Sequence, residues 1–343
     1  MGREMRNLTD LPLFMHKFRR VFSIFILTLL ISLQAQAKDW DLGGYLKFMP
    51  LGWEIPDYLF AGGSGDFQAN SILHTRQNFK WYPARQFTFT AELKTRLFMG
   101  QDAGLLQEIS DIFREQSFFN LQRDLVEENS LLLSATLDRI YATWYYRDFE
   151  FTLGRQRIAW GTSLVWNPID IFNPASPLEF GTEEKPGTDA FRAQYYLGPV
   201  SKLELAVEPH RETDDAAVAG LLQVNRWNYD FILMGGMLGE DQYGAGAAWA
   251  GDIQGAGFRG EILWSRSQRE PLPLPIPLPG TKEYREGVLA SVDADYTFEN
   301  STYLHASVLY NSEGTTESAG GLRLAQAYLD RELSPARLSL FGE

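Results

Sequence analysis

The stretch FEFTLGRQRIAWGTSLVWNPIDIFNP, residues 149–174, decides how the chain is read. It opens as a strand: Phe149, Phe151 and Leu153 alternate with Glu150, Thr152 and Gly154, the period-2 pattern of a two-faced strand. The alternation then breaks. Arg155 and Arg157 flank Gln156, Trp160 and Gly161 follow, and two Asn-Pro steps, Asn167-Pro168 and Asn173-Pro174, impose turns. The pattern predicts a wall that runs into a folded functional loop; the alternative is a strand followed by a structured surface loop.

On either side of this stretch, about fourteen segments of roughly 8–12 residues alternate in the same way. The clearest is 86–98, with Phe87, Phe89, Ala91, Leu93 and Leu97 on one face and Thr88, Thr90, Glu92, Lys94 and Arg96 on the other. Around it, Leu42, Leu46 and Phe48 oppose Tyr45 and Lys47, and Leu73, Phe79 and Trp81 oppose His74, Arg76, Asn78 and Lys80. Later, Phe191, Ala193 and Tyr195 oppose Arg192 and Gln194, Leu203 and Leu205 oppose Lys202 and Glu204, and Val288, Ala290 and Val292 oppose Ser291 and Asp293. A soluble sandwich would bury the apolar face; a membrane barrel would turn it to lipid and line its lumen with the charged one.

The connections separate these readings. Short links fall near 83–85, 147–148, 198–200, 227–228, 251–255, 299–301 and 334–336. Longer ones fall between them, near 50–70, 99–133, 156–188, 209–216, 238–242, 268–284 and 311–320. Short and long links alternating is the mark of an outer-membrane barrel. Aromatic residues crowd the strand ends (Trp81, Tyr82, Tyr145, Tyr146, Tyr195, Tyr196, Trp227, Tyr229, Phe298 and Tyr303), as in an interfacial girdle. The expected fold is all-β, a transmembrane antiparallel β-barrel of about 14–16 strands. Within the 99–133 connection, the segment 103–126 places Leu105, Ile109, Ile112, Phe113 and Gln116 at helical spacing, so this loop is expected to hold a helix. The run PLPLPIPLP at 271–279 should be a polyproline strut. An even strand count and a final aromatic strand predict either chain beyond Glu343 or a miscounted strand between 209 and 250, because 337–341 only begins a fifteenth.

Near the N-terminus, Lys17, Arg19 and Arg20 precede an apolar run over 21–33 and then Ala35-Gln36-Ala37. That is a secretory signal peptide, 1–37, cleaved after Ala37 and starting in effect at Met15, followed by a barrel domain over 38–343. The apolar run is short of the roughly 20 residues of a spanning helix. The 343-residue chain has a formal net charge of −13. The leader holds five basic and two acidic residues, so the remainder is more acidic still. An exported acidic chain is a poor partner for nucleic acid. With no cysteine, disulfides, thiolate metal sites and thiol nucleophiles are all excluded.

No metal-ligand spacing, phosphate loop or cofactor motif is present. The one constellation that gestures at hydrolysis is His210 near Asp214 and Asp215, better read as a solvated loop histidine, so no enzyme is expected. Charge placement remains. Arg76, Lys94, Arg96, Arg139 and Arg192 have lumen parity together with His74 and Lys80, with Arg155, Gln156 and Arg157 at the mouth of the 156–188 loop. That loop carries Asp170, Glu179, Glu183 and Glu184 against the single lysine Lys185. Folded inward, it would set acidic groups against a basic wall, a transverse field across a constriction. Trp160, Trp166, Asn167, Pro168, Asn173 and Pro174 would anchor it. Folded outward, its carboxylates would bind divalent cations between lipopolysaccharides.

The run Gly154-Arg155-Gln156-Arg157-Ile158-Ala159-Trp160-Gly161, with Asn167-Pro168-Ile169-Asp170 after it, resembles a family of uncharacterised Gram-negative outer-membrane, porin-like proteins distantly similar to alginate-export-type barrels. The match covers roughly residues 149–200. The resemblance implies an outer-membrane barrel in contact with lipid and lipopolysaccharide, and loosely a passive channel for small polar or anionic solutes. It implies no catalytic residues. The alternative is a non-conducting barrel that acts as an assembly or adhesion scaffold.

Overall fold

The structure is a computed structural model that describes residues 35–37, 39–54, 67–100, 118–128, 130–173, 184–210, 216–239, 242–269 and 283–312. Among them are fifteen strands, all antiparallel, and no helix. The all-β class expected from period-2 alternation is the class observed.

The chain divides into two units. The first comprises Met1–Asp111 and Asn120–Ile140, the second Ile112–Phe119 and Tyr141–Glu343. The first holds β1 (Ala35–Ala37), β2 (Trp40–Glu54), β3 (Phe67–Ala84), β4 (Phe87–Gly100), β5 (Gln122–Glu128) and most of β6 (Leu131–Tyr146). Here β2, β3, β4 and β6 are successive neighbours, β1 adds to β2, and β5 pairs with the first half of β6. The second unit takes the end of β6 and then β7 (Phe149–Gln156), β8 (Thr188–Tyr196), β9 (Lys202–Glu208), β10 (Ala217–Arg226), β11 (Tyr229–Leu238), β12 (Gln242–Ile253), β13 (Ala256–Arg269), β14 (Glu283–Thr297) and β15 (Tyr303–Asn311), each paired with the next.

The described short links lie close to where the sequence places them, and 334–336 lies outside the described residues. Arg147-Asp148, Trp227-Asn228 and Gln254-Gly255 are two-residue hairpins. Trp227 and Asn228 have φ of 55° and 61°, and Gln254 and Gly255 have 54° and 88°, the left-handed pair of a type I′ turn whose twist suits flanking strands. The residues at helical spacing, 105–116, lie outside the described residues; further along, 122–126 is strand. There Val126 pairs with Leu133 across a register shift after Asp124. The 271–279 strut, the 337–341 strand and residues 1–34 of the leader lie outside the described residues. Ala35–Ala37, the leader's last residues, pair with Trp40, Asp41 and Leu42.

The strands are inside-out. On β9, Leu203 and Leu205 are exposed while Glu204 and Glu208 are buried. The pattern recurs: Leu233, Leu304 and Val308 are 59%, 61% and 70% exposed, whereas Arg76, Glu261 and Asp293 are at most 1% exposed. In water each exposed leucine forgoes about 1.5–3 kcal/mol of burial, and buried charges cost several more unless paired. In hydrocarbon the same arrangement is the favourable one. At the short-turn end of the second unit, Trp144 stacks on Phe151, Phe149 on Phe151, and Phe149 packs against Tyr195, a band of rings on the exposed face.

Candidate functional site

The site is the connection from β7 to β8, described over 157–173 and 184–187, of which 157–173 folds onto the covered face of the second unit. Its two ends are tied by one side chain. Asn173 Oδ1 accepts the Ile158 N–H at 2.7 Å, while its Nδ2 donates to the Pro186 carbonyl at 3.0 Å. Thr188 donates in turn to the Phe172 carbonyl. The other Asn-Pro step makes a turn in which the Asp170 N–H donates to the Asn167 carbonyl at 3.1 Å, with Pro168 supplying its preset φ. Gly161 lies against that turn. A Cβ there would stand 2.1 Å from Asn167 Oδ1, so the Trp-Gly pair needs glycine for close approach.

Apolar packing seats the loop. Ile158, Trp160, Ile169 and Phe172 are buried against Ala190, Ala206, Ala217, Ala219, Leu221, Ile232, Met234, Ala248 and Leu263. Trp160 meets Phe172 edge to face at 5.0 Å. The small residues of β8–β12 make room: at Gly246 a Cβ would fall 2.8 Å from Ile169 Cγ2. Buried apolar area of this kind contributes about 25 cal/mol per Å², enough to hold a loop whose turn at Pro168 already limits its backbone freedom.

Carboxylates of the wall then fasten it through the main chain. Glu261 on β13 accepts the N–H groups of Thr162 (2.5 Å), Ser163 (2.8 Å) and Ile169 (3.1 Å), with the Thr162 hydroxyl at 3.1 Å. On β14, Asp293 accepts the Leu164 N–H and Ser291 donates to the Trp166 carbonyl. Glu204 on β9 accepts the Trp160 indole N–H at 2.8 Å, and also Gln194 and Lys202. The loop's own carboxylate turns inward on the loop: Asp170 accepts from Trp160 N–H and pairs with Lys185. Burial pushes the Asp170 carboxyl above its ordinary value, and the lysine and the N–H act in the opposite sense.

In the first unit the covered face holds a charge network. Arg76 contacts Glu92 at 2.5 Å and Asp138 at 2.7 Å, Lys94 contacts Asp138 at 3.1 Å, and Arg139 contacts Glu92 at 3.2 Å. Arg96 lies over the Phe98 ring. His74 has Lys47, Arg76, Lys94 and Arg96 as its charged neighbours.

The remaining candidates fall as follows. Arg155 sits opposite Asp189 on the face that carries Leu153 and Phe191, away from the covered face. Gln156 is buried, donating to the Thr152 and Ala190 carbonyls. Arg192, on the covered face, contacts Glu150 at 3.4 Å and Glu204 at 4.0 Å and donates to the carbonyl of Arg157, whose side chain is exposed. Trp166 and Asn167 are half-buried and Pro168 is buried. Pro174, Glu179 and Glu183 lie outside the described residues, as do Asp214 and Asp215 of the His210 constellation. Sequence reasoning gave no role to Asp189, Glu204, Glu261, Ser291 or Asp293. For all of them but Asp189 the only signal was lumen parity, which singles out no acid as a loop partner.

No family model and no curated protein matches the chain, so the motif resemblance remains an expectation. Similar solved structures include Acinetobacter baumannii OccAB3, at TM-score 0.46 and 11% identity over 80% of this chain and 67% of that one. Pseudomonas aeruginosa OpdK, solved with vanillate, aligns at 0.44 and 6% over 81% and 67%. A Rh. blastica porin variant aligns at 0.38 and 11% over 79% and 94%. None of the three reaches a TM-score of 0.5, so the functional reading rests on this chain's own geometry.

Proposed function

We propose that this chain is a Gram-negative outer-membrane β-barrel through which small polar or anionic solutes pass passively, with the 157–187 loop narrowing its interior. The observation that carries the proposal is a loop fastened to the covered face of inside-out strands, by an apolar seat and by wall carboxylates. A channel needs a lipid-facing exterior, a polar interior and an element that limits its width, and on this reading the loop is that element. Support for anions comes from the first unit, where Lys47, Arg76, Lys94 and Arg96 all lie near His74, and Arg139 contacts Glu92. The test is single-channel recording in planar bilayers under a salt gradient. Discrete steps with a reversal potential favouring anions are expected. A folded, heat-modifiable protein that never conducts would establish the scaffold reading instead, and cation preference would overturn the anionic solute class.

A further inference from the structure

We propose that Arg155 and Asp189 form a latch that ties the chain at Phe119 to the root of the 157–187 loop, so that the two segments move together. This rests on the channel reading only for its effect on conduction. Arg155 is the penultimate residue of β7 and Asp189 the second of β8, and they are direct register partners. The loop leaves after Gln156 and returns at Thr188, so the pair brackets both of its ends. Arg155 Nε and Nη2 donate to Asp189 Oδ1 and Oδ2 at 2.9 and 2.6 Å, a two-pronged guanidinium–carboxylate contact. The same groups take up the main chain of Phe119: its N–H donates to Asp189 Oδ2 at 3.0 Å and its carbonyl accepts from Arg155 Nη2 at 2.5 Å. Arginine and aspartate thus offer an extended backbone one donor and one acceptor, as a strand edge would.

Both residues are 6% exposed, although their face also bears the exposed Leu153 and Phe191. A buried ion pair on that face reaches solutes only through what it holds. It holds two things: the ends of the narrowing loop, and the segment that leads directly into β5. Neither is explained by a role in solute contact.

The chain has no cysteine, so paired spin labels can be placed at Phe118→Cys and Val165→Cys in the full-length protein in lipid. The distance between them should be a single narrow distribution. Arg155→Gln and Asp189→Asn should each broaden it, and raise the rate of open-channel current fluctuation about tenfold, within the usual span of coupling between sites. Arg155→Lys keeps the charge beside Asp189 but cannot serve both carboxylate oxygens and the Phe119 carbonyl. It should broaden the distribution too, even if the other variants fail to fold. A narrow distribution in Arg155→Lys, or fluctuation that rises with the distances unchanged, would overturn the latch. If even the parent fails to conduct, the channel reading fails while the distance result still decides the latch.

Discussion

On β3, β4 and β6 of the first unit the covered face is given to charge. Arg76, Lys94 and Arg139 interlock with Glu92 and Asp138, and each charge is held by a partner on a neighbouring strand. On β8 to β12 of the second unit the covered face is given mostly to alanine, glycine and a few aliphatics, and its carboxylates hold main-chain N–H groups of a loop. The same alternating strand underlies both. The difference lies in what the inward positions must meet: other side chains across the sheet in one unit, a folded segment of backbone in the other. Long charged side chains fill space and leave a polar surface. Small residues leave a bed in which a loop can lie.

The contrast can be broken first in the charge network. Arg76→Leu should leave Glu92 and Asp138 under-compensated in a buried site, a loss of about 3–5 kcal/mol. Heat modifiability in detergent, followed as a function of temperature, should register it as a lower unfolding temperature. An unchanged temperature would mean the network is screened by water and the first unit is less tightly built than its distances indicate.

Two neighbours on β11 sharpen the comparison between faces. Leu233→Arg puts a cation on the exposed face and should hinder insertion by about 2–4 kcal/mol, whereas Met234→Arg, beneath the loop, should insert and instead displace the loop. Folding yield into vesicles reads the first and channel conductance the second. The reverse ranking would invert the assignment of the two faces.

Within the loop's fastening, Glu261→Ala should strand three N–H groups, at about 1–3 kcal/mol for each that water does not reach. Glu261→Gln keeps an acceptor oxygen and should cost less. Proteolysis of the loop in vesicles should therefore rank alanine above glutamine above parent. Equal rates in all three would show that the apolar seat alone holds the loop.

The smallest expected effect is at the seat itself. Gly246→Ala brings a methyl within 2.8 Å of Ile169 Cγ2 and 2.9 Å of the Ile262 carbonyl, so the loop must lift slightly. Overpacking of this kind costs about 1–3 kcal/mol, and relaxation of the loop brings it to the low end. A modest rise in loop proteolysis with unchanged insertion is the expected result.

Much of this was legible in the chain. Strand parity, the described hairpin links and the Asn167-Pro168 turn follow from local rules, since period 2 and proline geometry act over a few residues. The loop's partners were not legible, because they are distant: Trp160 reaches Glu204 across 44 residues, Ile169 reaches Glu261 across 92 and Leu164 reaches Asp293 across 129. The sequence expectation set the loop's acids against a basic wall. Around the described part of the loop, acidic wall residues meet main-chain donors, and Asp170 is matched by Lys185 from the loop itself. Counting lumen-facing cations alone missed this, because backbone N–H groups carry no letter of their own. β5 was missed for a related reason: its pairing with β6 is a tertiary fact, and QRDLVEE shows no alternation of its own.

On the proposed reading the 157–187 loop narrows a conducting interior. The most direct test of that reading is single-channel conductance of the parent beside a variant in which residues 160–172 are replaced by a short glycine–serine link, both checked for heat modifiability. The account predicts that the variant still folds and conducts several-fold more than the parent, because the segment seated on Ala219, Ile232, Met234 and Ala248 is gone. Equal conductance in two folded proteins would contradict it.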